Sequence, residues 1–256
     1  MRRAFLPHLP IDEIIAAYEK SDGNEIKSEK IASPASSAAL VANTFGLFLG
    51  RARNLPALPG LYDVDWPATR VCLEQNVRFP WRGGRHPWLD VVIETRSWLI
   101  GIESKRYEPF RPGKPASFSA IYSKHVWDDG LAPFGGIRDR LTSGSLSYEC
   151  LDAAQLVKHA FGLHTQAAKR NKKAMLVYLF AEPDRWPEDG RAIGRERHER
   201  HAAEAADFAK AVEGSDVPVR LCTYRALLAA METSPYADVV AHAHAVREWV
   251  SSAGGV

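Results

Sequence analysis

The chain has 256 residues, with 33 Lys+Arg against 31 Asp+Glu, a formal net charge of +2, and 46% hydrophobic residues. That balance excludes a disordered tail, a small disulfide-stapled module and a histone-like polycation, and leaves a domain large enough to cover a sheet with helices on both faces. Cys72, Cys150 and Cys222 stand far apart without a CxxC, which fits a reducing, cytoplasmic setting. Neither a run of about 18 apolar residues nor a signal-peptide core after Met1 is seen, so no membrane partner is expected.

Ile11, Ile14, Ile15 and Tyr18 recur at helical spacing after Pro10, and Ser36 to Leu49 carries a second stripe of Leu40, Val41, Phe45 and Phe48. Asn54 to Trp66, with Pro56, Pro59 and Gly60, reads as a surface connection. Val71 to Val77 reads as a strand, and Trp88 to Ile93 with Trp98 to Ile102 as a hairpin. Residues 106–148 are rich in Pro, Gly, Ser and aromatics without sustained periodicity, which predicts a long loop over a working surface. Tyr148 to Leu163 is predicted helical, and the apolar run Ala174 to Phe180 is predicted to be a strand buried on both faces. A charged helix over Arg195 to Val212, a short strand over Val217 to Cys222, and helices over Tyr224 to Met231 and Tyr236 to Val250 complete the chain. Antiparallel strands early and crossovers late predict an α/β fold whose mixed central sheet is flanked by helices, in one domain over 1–256 with a C-terminal αβα extension at 195–250.

The chemistry concentrates in Trp98 to Lys105. Alternation sends Ile100 and Ile102 to one face of the strand and Glu103 and Lys105 to the other, roughly 6.5–7 Å apart. If Arg96-Ser97 turns the hairpin, the register sets Asp90 opposite Glu103; a slip of one residue would move Asp90 to the other face. Two opposed carboxylates repel, and one lysine does not neutralise both, so a divalent cation is the natural compensation. Ser104 points away from Lys105 on a strand, which argues against a Ser-Lys hydrolase dyad.

Pro87-Trp88-Leu89-Asp90, a short hairpin, then Glu103-Ser104-Lys105 resembles the PD-(D/E)XK nuclease superfamily, the restriction-endonuclease-like fold. The resemblance implies a three-layer αβββαβ core, covering about 36–181 here, and Mg²⁺-dependent hydrolysis of phosphodiester bonds, with Mn²⁺ as an alternative ion. It assigns catalysis to Asp90, Glu103 and Lys105, and metal binding to Asp90, Glu103 and the backbone carbonyl of Ser104. Two departures stand: Pro87 is three residues before Asp90 instead of adjacent, and the family's upstream acid matches Glu25, Glu29 or Glu74, of which Glu74 is favoured. The partner implied is nucleic acid, DNA ahead of RNA, and a homodimer is among the arrangements relatives use to cut both strands. The alternatives are a non-catalytic nucleic-acid-binding or scaffold member of the same fold, and an RNA- or structure-specific nuclease.

On the helix that follows, Gln155, Lys158 and His159 share a face that either meets phosphates or is simply solvated, and it faintly resembles the Gln-x-x-x-Tyr helix of RecB-like members with His159 in place of Tyr. Arg106 joins them as a substrate-binding candidate, and Glu108 either serves the same site or caps the loop. From Lys105 to Lys173 there are 12 Lys+Arg and 6 Asp+Glu, a local +6. There Tyr107, Phe110, Phe118, Tyr122, Trp127 and Phe134 alternate with Arg106, Arg111, Lys114, Lys124 and Arg138, a mixture that either contacts nucleic acid or packs the loop. His198-x-x-His201 and His242-x-His244 lack cysteines or an HExxH frame and are read as structural or solvent-facing histidines, not zinc ligands. Neither a phosphate-binding loop, nor a dinucleotide fingerprint, nor GxSxG is present.

Overall fold

The computed structural model describes residues 2–21, 23, 25–113, 115–125 and 127–252; Lys114 lies outside them. In chain order the main elements are α1 (Ile11–Lys20), α2 (Ser37–Phe45), β1 (Arg70–Asn76), β2 (Trp88–Glu94), β3 (Trp98–Lys105) and α3 (Ile121–Lys124). There follow α4 (Ala132–Ser143), α5 (Ala153–Lys169), β4 (Lys173–Phe180), α6 (Arg195–Ala211), β5 (Val219–Thr223), α7 (Tyr224–Glu232) and α8 (Ala237–Ser252). The five strands lie in the order β1-β2-β3-β4-β5, antiparallel from β1 to β3 and parallel from β3 to β5.

β4 lies inside the sheet, between β3 and β5, and its side chains feed two cores. Met175, Val177 and Leu179 pack with α1, α2, α7 and α8, while Ala174, Leu176 and Tyr178 pack with α4, α5 and α6. A strand covered on both faces needs an unbroken apolar run, which is why Ala174 to Phe180 does not alternate. Gly101 on β3 is dictated by packing: a Cβ there would stand 2.5 Å from a methyl of Leu89. Gly162 on α5 is similar, because a Cβ would meet the Val77 carbonyl oxygen at 2.5 Å. The helix can therefore lie close against the chain leaving β1.

The hairpin turn lacks the Gly or Asn that favours a two-residue connection and is secured by side chains instead. Thr95 Oγ1 accepts from Trp98 N–H at 3.0 Å and donates to Asp65 at 2.5 Å, and the other Asp65 oxygen accepts from Ser97 N–H at 3.1 Å. Two expectations need correction. The segment 106–148 is not one long loop, since α3 and α4 lie within it. Phe134, Ile137 and Leu141 of α4 are buried at helical spacing, but Gly135 and Gly136 mask the signal because glycine disfavours a helix interior, whereas Pro133 sits in the first turn, where proline is tolerated. The next helix starts at Ala153, not Tyr148, because Asp152 caps it by accepting from Gln155 N–H at 2.9 Å. Glu204 accepts from the amides of Glu149, Cys150 and Leu151 and holds that stretch outside the helix.

Candidate active site

The register that would oppose Asp90 to Glu103 is the one adopted: Val91 pairs with Ile102 and Ile93 with Ile100. The ladder stops at Val91, however. Leu89 packs in one core and Val91 in the other, so side-chain alternation breaks at Asp90. Its carboxylate turns into the gap and accepts from the Ser104 N–H at 2.6 Å. On the neighbouring strand Leu73 pairs with Val91 and Gln75 with Leu89, and Glu74 between them has φ of 47°. A left-handed glutamate inside a strand costs on the order of 1 kcal/mol or more and marks a constrained position. Glu74 and Asp90 thus face each other where β1 and β2 are locally distorted.

Glu103 and Lys105 share the α5 side of β3, as alternation predicts. Glu103 is 2% exposed. One of its oxygens accepts from Lys105 Nζ, and the other lies 3.1 Å from His159 Nδ1 without hydrogen-bond alignment, so both of those atoms are buried unsatisfied. Lys105 also donates to Gln155 Oε1 at 2.9 Å. Gln155 and His159, one helical turn apart on α5, therefore close over the Glu103–Lys105 pair. The cavity beside it, about 340 Å³, is lined by Lys105, Glu108, Tyr148, Asp152, Gln155 and Tyr178.

The charges pull in opposite directions. Burial would raise the Glu103 carboxyl, but Lys105 and then His159 bring it down to about 2. Burial would lower Lys105, but Glu103, Glu108 and Asp90 carry it above the ordinary lysine range. Asp90 is raised well above the usual carboxylate range, by burial first and then by Glu103; Lys105 opposes the rise and Glu74 adds to it. Glu74 rises to about 7 through burial, with Glu103 and Glu25 adding and a hydrogen bond from Ser21 opposing. Lys105 compensates Glu103 most directly, whereas burial and the neighbouring carboxylates favour the protonated form of Asp90 and Glu74.

Other candidates fall elsewhere. Lys158 lies over the Phe118 ring at 5.2 Å, so the i, i+3 member of the α5 face is turned away while the i, i+4 pair converges. Arg106 is fully buried, donating to the Pro34 carbonyl and lying 5.3 Å from the Trp249 ring. Glu108 caps the loop, accepting from the amides of Arg106 and Tyr107 at 2.8 and 3.0 Å and from Ser37 Oγ at 2.6 Å. Glu29 stands before a short 3-10 turn with φ of 56° and is exposed. His201 shares a hydrogen bond with the Tyr178 hydroxyl at 2.9 Å, and His242 bridges His8 at 2.9 Å and the Thr44 carbonyl at 3.1 Å. Among the described residues no three His, Cys, Asp or Glu side chains form a ready metal cage.

Tyr224 is not legible from the sequence as part of the site: its hydroxyl lies 2.6 Å from Ser104 Oγ and fixes the residue between Glu103 and Lys105. No local pattern announces a contact across 120 residues. A family model described as restriction endonuclease associating with ARP matches residues 2–245. No curated protein and no solved structure matches the chain.

Proposed function

Because the chain belongs to the family of restriction endonucleases associating with ARP, a restriction-endonuclease-like family, we propose that it is a divalent-metal-dependent endonuclease that hydrolyses phosphodiester bonds in DNA. The observation that carries the reading is the meeting of Asp90, Glu103 and Lys105 at one end of two adjacent strands, with Asp90 tied to the Ser104 amide at 2.6 Å. The order α2-β1-β2-β3-α5-β4 supports a three-layer αβββαβ core of restriction-endonuclease type, with α3 and α4 inserted before α5.

The donor set fits a small hard cation. Mg²⁺ takes one or two carboxylates and completes its shell with water and phosphate oxygens, so a preformed cage of three acids is not required. Mg²⁺, or Mn²⁺ in its place, would be held by Asp90, Glu103 and the Ser104 carbonyl, with Glu74 a further donor, and would supply Lewis-acid polarisation of the phosphate and a more acidic water. The repulsion at Asp90 and Glu74 gives a cation a reason to be there.

Lys105 works as an ammonium. Its three N–H groups go to Glu103, to Gln155 and, in this reading, to the attacking water or a non-bridging phosphate oxygen. A group held above the lysine range is a poor general base at neutral pH and a good electrostatic clamp for the extra charge of the transition state. As the water oxygen bonds to phosphorus it gives up a proton to solvent, one P–O ester bond breaks, and the departing alkoxide takes up a proton from solvent water. Gln155 and His159 act through Lys105 and Glu103 as positioning residues. The test is incubation with plasmid, single-stranded DNA and RNA in Mg²⁺, Mn²⁺ or EDTA. Metal-dependent plasmid cutting, lost in Asp90→Asn, Glu103→Gln and Lys105→Gln while circular dichroism is unchanged, is expected. Activity surviving all three changes, or directed at RNA alone, removes the reading.

A further inference from the structure

Outside the site, the loop joining β1 to β2 has an unusual composition. Val77 to Pro87 contains Arg78, Arg82 and Arg85 and no acidic residue. All three arginines are exposed, and no carboxylate among the described residues pairs with any of them. Unpaired arginines on a well-held loop are poised for an external anion.

The loop is well held. Val77 N–H donates to the Pro87 carbonyl at 2.9 Å, Phe79 N–H to His86 Nδ1 at 3.1 Å, and Gln166 of α5 to the Arg78 carbonyl at 2.8 Å. Phe79 and Trp81 stack on each other at 4.6 Å and pack edge-on to Tyr122 and Trp127. At the tip, Gly83 and Gly84 have φ of 78° and 73° with open space around them. Lys169 adds charge beside the root, since His86 is held below its usual range by burial and then by Arg78 and Lys169.

The loop's place decides its use. Asn76 pairs with Trp88 at its root, and Glu74 and Asp90 lie two residues down each arm, about 7 Å away along the strands. Single-strand binders present aromatic rings for base stacking. Here Phe79 is 2% exposed and Trp81 is half-buried against it, while the guanidinium groups flanking the two tip glycines are exposed. That arrangement suits phosphates and a groove.

We propose that the 77–87 loop is a clamp for double-stranded DNA, with Arg78, Arg82 and Arg85 contacting the duplex beside the scissile phosphate. The proposal deepens the nuclease reading, on which its choice of DNA rests. The experiment is fluorescence anisotropy of a labelled duplex, and of its single strand, with the full chain in Ca²⁺ over a salt series. Arg82→Ala/Arg85→Ala is expected to weaken duplex binding at least tenfold and to lower the slope of log K against log salt by about two, one for each phosphate that the variant no longer neutralises. Duplex binding within twofold of the unaltered chain, an unchanged slope, or a loss confined to the single strand overturns the clamp. Cutting is scored separately: if the unaltered chain binds through the loop but never cuts with Mg²⁺ or Mn²⁺, the clamp stands and the nuclease reading falls.

Discussion

Replacing Glu74 by Gln removes a charge that the metal-free fold holds at a cost. The native carboxyl titrates near 7 against an ordinary value of 4.5, so the folded chain holds this proton more tightly than the unfolded chain does. Stability from this group is therefore intact below about pH 4.5, falls as pH rises toward 7, and is level above. The full difference corresponds to roughly 3 kcal/mol, and partial exposure of the side chain trims it to about 2–3 kcal/mol. Gln keeps the shape and can still meet Ser21, so the variant isolates the charge. Urea unfolding in EDTA at pH 4.5 and pH 8 measures it. Glu74→Gln should gain about 2–3 kcal/mol over the parent at pH 8 and little at pH 4.5. Saturating Mg²⁺ should stabilise the parent more than the variant. No gain at pH 8 would refute the argument, because it would put the cost in the left-handed backbone, which the substitution leaves unchanged.

His159→Ala leaves Glu103 without its second neighbour and should raise the Mg²⁺ needed for cutting by about 10–100-fold. Duplex binding without metal should stay within twofold, and a matching drop in binding would make His159 a substrate contact instead. Gly162→Ala drives a methyl toward the Val77 carbonyl at 2.5 Å and should cost about 1–3 kcal/mol in urea unfolding. Since Val77 roots the arginine loop, duplex affinity should fall with it, and a variant as stable as the parent would show that the close approach of helix and loop is dispensable.

Much of the fold and part of the site are legible from local pattern. Strands show through period two, and β3 in particular places Glu103 and Lys105 on one face before any contact is known. The turn register is also readable, although what fixes it, Asp65 binding Thr95 and Ser97, lies about 30 residues upstream. Helix α4 is hidden because its two adjacent glycines argue against a helix that tertiary burial of Phe134, Ile137 and Leu141 nonetheless stabilises. Arg106 reads in the sequence as one more cation for phosphate, yet burial beneath Trp249 removes it from solvent.

The sequence by itself determined which residue types reach the end of the central strands, because alternation and apolar runs are properties of a single segment. Only the tertiary structure decided how they are used. Breaking the alternation at Asp90, twisting Glu74 into the left-handed region, and bringing Gln155, His159 and Tyr224 onto the strand all depend on packing between segments distant in the chain. Those contacts set the local field, so one carboxylate settles near 2 while another rises to about 7. That division of charge follows from which groups burial brings within reach of one ammonium.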